Sequence, residues 1–321
     1  MTPVSIATAF TLLTAMASFP ADPAGPGHEV IRLWPGAAPG AGHATAREVI
    51  GERARPGDAL RDRYVKGVVT PTLVVFRPVH PNGTGLLMAP GGGYRWVVMD
   101  KEGYETAERF AASGVTVFVM TYRLPQEGWA AGPDTPLQDA QRAMRVVRSR
   151  AAALGLDPHR LGVMGFSAGG HVAGMLSLAW DRPVYAPADA ADQASARPDF
   201  SVLVYPVATM RARYAHVGSR ANLLGDHPNA AAEAAYSLDA LARADAPPSF
   251  LVHAADDGSV PVENSLALFD ALRARKVPVE LHVFEEGGHG FGLRYTRGKP
   301  AEAWPDLVMA WMKRHGWMGG S

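Results

Sequence analysis

From residue 86 onward, short apolar runs alternate with longer stretches whose apolar positions recur every three to four residues. Runs closed by Gly or Pro read as buried strands, and the 3.6-residue recurrence reads as helix. The strand candidates are Leu86–Ala89, Val115–Met120, Arg160–Phe166, Ser201–Pro206, Phe250–Ala254 and Val279–Phe284. Helical patterns cover Lys101–Ala112, Leu137–Leu154, the stretch after Ser167, Val262–Arg275 and about Ala301–His315. This alternation predicts an α/β fold, a mostly parallel central sheet with helices on both faces.

Upstream the pattern is weaker. Pro20 to Gly57 reads as an extended lead-in with one possible edge strand at Val30–Trp34. Tyr64–Phe76 alternates, but Pro71 makes it an edge or interrupted strand. Residues 207–247 are irregular, Ala-rich and partly helical, and read as a small insertion over the mouth of a site. Its Arg211, Arg213, Arg220, Asp226, His227, Glu233, Asp239, Arg243 and Asp245 predict a polar wall there. Arg142, Arg145, Arg148 and Arg150 lie off the apolar stripe of their helix and read as its solvated face.

Composition narrows the function classes. Basic and acidic residues balance at 31 each, and no basic stripe points to nucleic acid or a membrane surface. With Cys at 0, thiol catalysis, disulfides and Cys-based zinc sites are excluded. Val4 to Phe19 is mostly apolar, with Ala15-Met16-Ala17 in small-x-small form, so residues 1–19 read as an export signal or a loosely packed N-terminal arm. No linker and no repeat divides 20–321, which reads as one domain.

Candidate chemistry centres on Gly165-Phe166-Ser167-Ala168-Gly169. A serine on a sharp turn between strand and helix has its hydroxyl lifted clear of the sheet, and the flanking glycines avoid collisions there. Serine needs a base in reach, and the base needs an orienting carboxylate. In a parallel sheet these meet only at the carboxyl ends of strands. Of eleven His, His289 follows a strand and lies in a glycine-rich loop, whereas His253 and His282 fall within strands, His171 behind the serine and His315 in the last helix. Asp256 and Asp257 both follow the strand ending near Ala254; Asp257, opening Asp-x-x-Val-Pro, is the preferred acid and Asp256 reads as a turn or capping carboxylate. The order Ser, Asp, His is that of α/β-hydrolases. Gly92 and Gly93, after the strand at 86–89, with Ala168 at the helix start, are the candidate oxyanion donors. Tyr94 beside them is a candidate substrate contact.

Several motifs together carry a resemblance: Leu33-Trp34-Pro35-Gly36, Pro90-Gly91-Gly92-Gly93-Tyr94, Asp100-Lys101-Glu102-Gly103, Tyr122-Arg123-Leu124-Pro125, the stretch Gly165–His171, Asp256–Pro261 and Gly287–Gly292. In combination, over roughly residues 30 to 315, the chain resembles bacterial α/β-hydrolases of the acetylxylan esterase-like group, which share features with hormone-sensitive-lipase-like esterases. The resemblance implies a serine carboxylester hydrolase, often exported, that takes a small-molecule or oligosaccharide ester, often an acetylated plant polysaccharide. It implies no metal or organic cofactor. Pro90 stands where the lipase-like relatives carry His, which fits the acetylxylan esterase-like side. Members of the group are frequently labelled xylanases, but two carboxylates flanking a sugar are not identifiable here. Alternatives are a general carboxylesterase, a prolyl-oligopeptidase-type peptidase and a non-catalytic binding protein on the same fold.

Overall fold

The computed structural model describes residues 27–319 apart from 42, 43, 45, 55 and 56, so the export-signal expectation for 1–19 lies outside the described residues. Among the described residues two sheets form. Strands β1 (Glu29–Arg32), β4 (Thr72–Phe76), β5 (Gly85–Ala89), β7 (Thr116–Met120), β8 (Leu161–Phe166), β9 (Phe200–Val204), β10 (Ser249–Ala254) and β11 (Val279–Phe284) make the large one. Its order is β1-β4-β7-β5-β8-β9-β10-β11. From β7 to β11 the strands run parallel, while β4 is antiparallel to both neighbours. β5, β7, β8, β9 and β10 are buried along their whole length, which is why their sequences are continuous apolar runs instead of alternating ones.

The interrupted stretch 64–76 divides as Pro71 predicts. Its first part is β3 (Arg63–Lys66), which joins β2 (Val49–Glu52) and β6 (Val97–Val98) in a small antiparallel sheet. The lead-in is therefore more ordered than its composition suggests, since β2 lies inside it. Short strands with exposed faces carry no long apolar signal.

Nine helices are described: α1 (Glu105–Ala111), α2 (Thr135–Ser149), α3 (Ala151–Leu154), α4 (Ser167–Leu178), α5 (Val217–Leu224), α6 (Ala230–Ala235), α7 (Leu238–Leu241), α8 (Glu263–Ala274) and α9 (Trp304–Arg314). None of them is long and apolar enough to cross a membrane. α5, α6 and α7 form the insertion between β9 and β10.

Of the arginines expected on a solvated face, Arg150 is exposed, but Arg142, Arg145 and Arg148 are not free in solvent. Segment 181–199 covers them, and Arg142 pairs with Asp189 and Asp192 while also donating to the Leu33 carbonyl. Arg145 donates to the Tyr185 hydroxyl, and Arg148 pairs with Asp199. A helical charge pattern looks the same whether water or a returning loop satisfies it. On the same helix Asp139 holds the fully buried Arg123 and the Trp34 indole N–H, which ties the Leu33–Gly36 and Tyr122–Pro125 motifs together. Removing one member of such a pair strands a buried charge, typically at about 3–5 kcal/mol.

Candidate active site

β8 delivers Ser167 at its carboxyl end with φ 53, a left-handed conformation at the head of α4. The glycines around it are obligatory. A Cβ on Gly165 would lie 2.1 Å from the Gly169 carbonyl oxygen, and one on Gly169 would lie 2.1 Å from that of Ala89. β10 and β11 end on the same rim, and their loops carry Asp257 and His289. Ser167 Oγ lies 2.8 Å from His289 Nε2, and His289 Nδ1 lies 2.7 Å from Asp257 Oδ2. The structure thus brings all three expected residues into one line.

Asp257 is more heavily supported than its sequence context indicates. Its Oδ1 accepts the N–H groups of Ser259 and Val260. His253, buried within β10, places Nε2 3.3 Å from Asp257 Oδ2 and 2.9 Å from the Val260 carbonyl, so this nitrogen bears the proton. Ser265 Oγ lies 2.7 Å from Nδ1 and donates to it. Burial alone would raise the Asp257 carboxyl, but hydrogen bonds from His253 and His289 and the His289 charge hold it well below the usual carboxylate range. Asp256 does not join the line; it accepts the Gly288 N–H at 2.8 Å and so braces the loop that carries His289.

The three glycines after β5 have separate tasks. Gly91 N–H is held by Glu102 Oε2 at 3.0 Å. The Gly91 carbonyl accepts from Val98 N–H at 2.9 Å, and the Gly92 carbonyl from Arg95 N–H at 3.0 Å. In a planar trans peptide the next N–H points opposite its carbonyl. Those two bonds therefore turn the Gly92 and Gly93 N–H groups away from segment 95–98, and neither donates to a protein acceptor among the described residues. Both glycines line the cavity with Ser167 and His289. Ala168 lies in the first turn of α4, where N–H groups lack intrahelical acceptors. Because β6 pairs with β3, the small sheet braces this cradle.

Tyr94 requires correction. It is 2% exposed, does not line the cavity, and spends its hydroxyl on His171 Nδ1 at 2.6 Å. His171 Nε2 faces the Tyr236 carbonyl at 2.6 Å, an acceptor only, so Nε2 carries the proton and Tyr94 donates to Nδ1. Tyr94 thereby fastens the cradle loop to α4 and to the insertion; it is a structural post behind the site.

Glu102, Lys101 and Tyr205 are the residues that sequence reading missed. The expected helix over Lys101–Ala112 begins only at Glu105. Before it Asp100–Tyr104 forms a wide turn, closed by Tyr104 N–H to the Met99 carbonyl, and all five residues are buried. That turn sends Lys101 and Glu102 to the cavity instead of to solvent. Glu102 Oε1 accepts from the Tyr205 hydroxyl at 3.1 Å, and the same hydroxyl accepts the Gly292 N–H at 3.1 Å. Burial and the nearby Glu102 carboxylate push the Tyr205 phenol well up, so it remains a donor. Its ring also meets His289 edge-on at 5.2 Å. The available signal was Lys-Glu-Gly at the head of a helical pattern, which composition alone does not distinguish from a solvated turn.

The cavity measures about 360 Å³. From the insertion only His216, Gly218 and Asn222 reach it; the charged residues expected to form a polar wall do not. Six of them satisfy one another instead, Arg211 with Asp239, Arg220 with Glu233 and Arg243 with Asp245. The cavity takes its charge from Arg53, Arg95, Lys101 and Glu102, with Trp96 and Val98 as its apolar part.

Comparison with known proteins agrees with this architecture. The BD-FAE family model matches residues 86–272. An acetylxylan esterase of Xylanibacter ruminicola is 33% identical over 226 residues, covering 69% of this chain and 44% of that protein. Endo-1,4-beta-xylanase B of Butyrivibrio fibrisolvens is 37% identical over 210 residues, 64% of this chain and 32% of its own length. The chain thus spans less than half of either relative. A solved acetyl ester-xyloside bifunctional hydrolase from Caldicellulosiruptor lactoaceticus superposes with a TM-score of 0.75 at 33% identity, covering 91% of this chain and 97% of that one. With the family model matched over more than half of the chain and a strand order to suit, the chain belongs to the BD-FAE family and has the α/β-hydrolase fold.

Proposed function

We propose that the chain, with 20–321 as a single hydrolase domain, is a serine carboxylester hydrolase that removes short acyl groups, acetyl foremost, from carbohydrate. The observation that carries this reading is the continuous line from Ser167 through His289 to Asp257. Ser167 Oγ attacks the ester carbonyl carbon while His289 Nε2 takes its proton, and Asp257 steadies the resulting imidazolium. The carbonyl oxygen becomes an oxyanion between the N–H groups of Gly92, Gly93 and Ala168, where one donor is typically worth about 10²–10³ in turnover. His289 then protonates the departing alcohol, and water releases the acyl group from Ser167 by the same steps.

The names of the acetylxylan esterase and acetyl ester-xyloside hydrolase relatives support a carbohydrate ester. The modest cavity, with polar His216, Asn222 and Ser259 on its wall, supports a short acyl group. Ser167→Ala is expected to fold normally and lose at least about 10³ in kcat/KM. In wild type, kcat/KM across acetyl to octanoyl aryl esters should peak at acetyl or propionyl, with release of acetate from acetylated xylan. Each buried methylene gains about 0.8 kcal/mol only where apolar wall awaits it, so a steady rise to octanoyl would instead favour a general lipase-like esterase. Export through residues 1–19 belongs to the same reading, and N-terminal sequencing of protein recovered outside the cytoplasm tests it.

A further inference from the structure

We infer that this cavity favours esters whose alcohol part carries a carboxylate, an acidic sugar over its neutral counterpart, with Lys101 and Arg95 as the recognising groups. The inference rests on the ester-hydrolase reading and extends it to substrate charge. Three cations, Arg53, Arg95 and Lys101, line the cavity beside Ser167, and Glu102 is the acid on that wall. Both Glu102 oxygens are already engaged, by Gly91 and by Tyr205.

Lys101 is the unusual group. It is 6% exposed, yet among the described residues no carboxylate pairs with its ammonium and no acceptor takes its protons. It lies over the Tyr295 ring at 5.3 Å, and from the far side its charge acts on the Asp62 carboxylate. With Asp62 acting on it only at longer range, the buried ammonium keeps its donors available for a group that enters the cavity. Arg95 is likewise without a carboxylate and lies over Trp96 at 5.0 Å, on the ring that Arg53 approaches at 5.7 Å. Arg53 faces Asp62 at 3.7 Å, and Asp62 with Asp58 lines a second cavity that also touches Lys101. Asp58 and Asp62 therefore lie on the far side of Lys101, and on the wall facing Ser167 three cations stand against the one carboxylate of Glu102, leaving net positive charge.

The alcohol side follows from the chemistry. His289 must hand its proton to the leaving oxygen, so the alcohol part rests against the His289 loop. Lys101 Nζ stands 3.2 Å from where a Cβ of residue 290 would lie, beside that loop, with Glu102 Oε1, already taken by Tyr205, at 3.5 Å from the same point. A carboxylate on the departing sugar reaches the ammonium there, and a charge-assisted bond is about twice as strong as one to a neutral hydroxyl.

The test compares mono-O-acetylated methyl glucopyranoside with the corresponding acetylated methyl glucopyranosiduronate, which differs only at C6, and with its C6 amide. Wild type should show kcat/KM about tenfold higher for the carboxylate than for either neutral sugar, and salt at about 0.5 M should shrink the ratio. Lys101→Met and Arg95→Gln should each lower that ratio, mainly through KM. Arg95 is exposed, so its variant still reports if the Lys101 variant misfolds. A wild-type ratio near one, or a ratio unchanged in folded variants, overturns the inference. A hemisuccinate ester of a neutral alcohol preferred over the uronate would overturn the alcohol-side assignment. Aryl acetate in the same preparation separates the two failures: no hydrolysis there sinks the esterase reading, and hydrolysis with a ratio near one sinks only this inference.

Discussion

Asp257 stands between His289 and His253, with two backbone N–H groups on its other oxygen. Asp256, one residue earlier, holds the Gly288 N–H and no other described donor. Both carboxylates follow β10, and the Asp-x-x-Val-Pro context favours Asp257 in the sequence; what separates them in the fold is which one the turn at Gly258 aims inward. Asp257→Asn should lower kcat by about 10³–10⁴, because the amide misorients the imidazole and cannot stabilise its charge. Asp256→Asn keeps an acceptor for Gly288 and should stay within a few-fold of wild type. Steady-state kinetics on both folded variants decide the matter, and the reverse ranking would move the acid to Asp256.

At the scale of elements, two loops from distant strands must agree in position for the cradle and the base to face one substrate. Glu102 links them: one oxygen holds Gly91 ahead of Gly92 and Gly93, the proposed oxyanion donors, and the other holds Tyr205, which anchors Gly292 beyond His289. It touches no reacting atom in the proposed scheme and acts as a positioning residue. Glu102→Ala should reduce kcat on aryl acetates by about 10²-fold, as loss of a donor does, with KM changed little. Glu102→Gln keeps an acceptor for Gly91 and a partner for Tyr205, and should recover most of the activity. Equal losses in the two variants, or a loss confined to KM, would remove this role. The helix pattern over Lys101–Ala112 was legible, but its buried first turn was not, because a π-type turn and an α-helical one share composition.

Across the whole molecule, His171 joins the cradle loop through Tyr94, the helix behind Ser167, and the insertion through the Tyr236 carbonyl. Burial lowers its pKa from 6.5 to about 4. The folded state therefore resists a proton that the unfolded chain accepts. Its contribution is complete above about pH 6.5 and is lost as pH falls towards 4, worth about 3 kcal/mol in all. Urea unfolding at pH 7.5 and 4.5 should show wild type losing most of that amount relative to His171→Asn, which has no proton to gain. Parallel pH dependence in the two proteins would show that the imidazole does not carry this linkage.

Periodicity and turn chemistry by themselves determined the strand-helix alternation, the Ser167 elbow and the chain order of Ser167, Asp257 and His289, because each is a local pattern with a local steric cause. Resemblance in the combined motifs pointed to the esterase family. Tertiary structure alone decided the rest: that Tyr94 is a buried post, that Arg142, Arg145 and Arg148 are covered, that six charges of the insertion pair with one another, and that Lys101 and Glu102 face the cavity. These are questions of what a side chain meets. A partner 30 or 100 residues away leaves no periodic trace in the sequence, whereas a steric demand such as the one that excludes a Cβ at Gly165 and Gly169 is written directly as glycine.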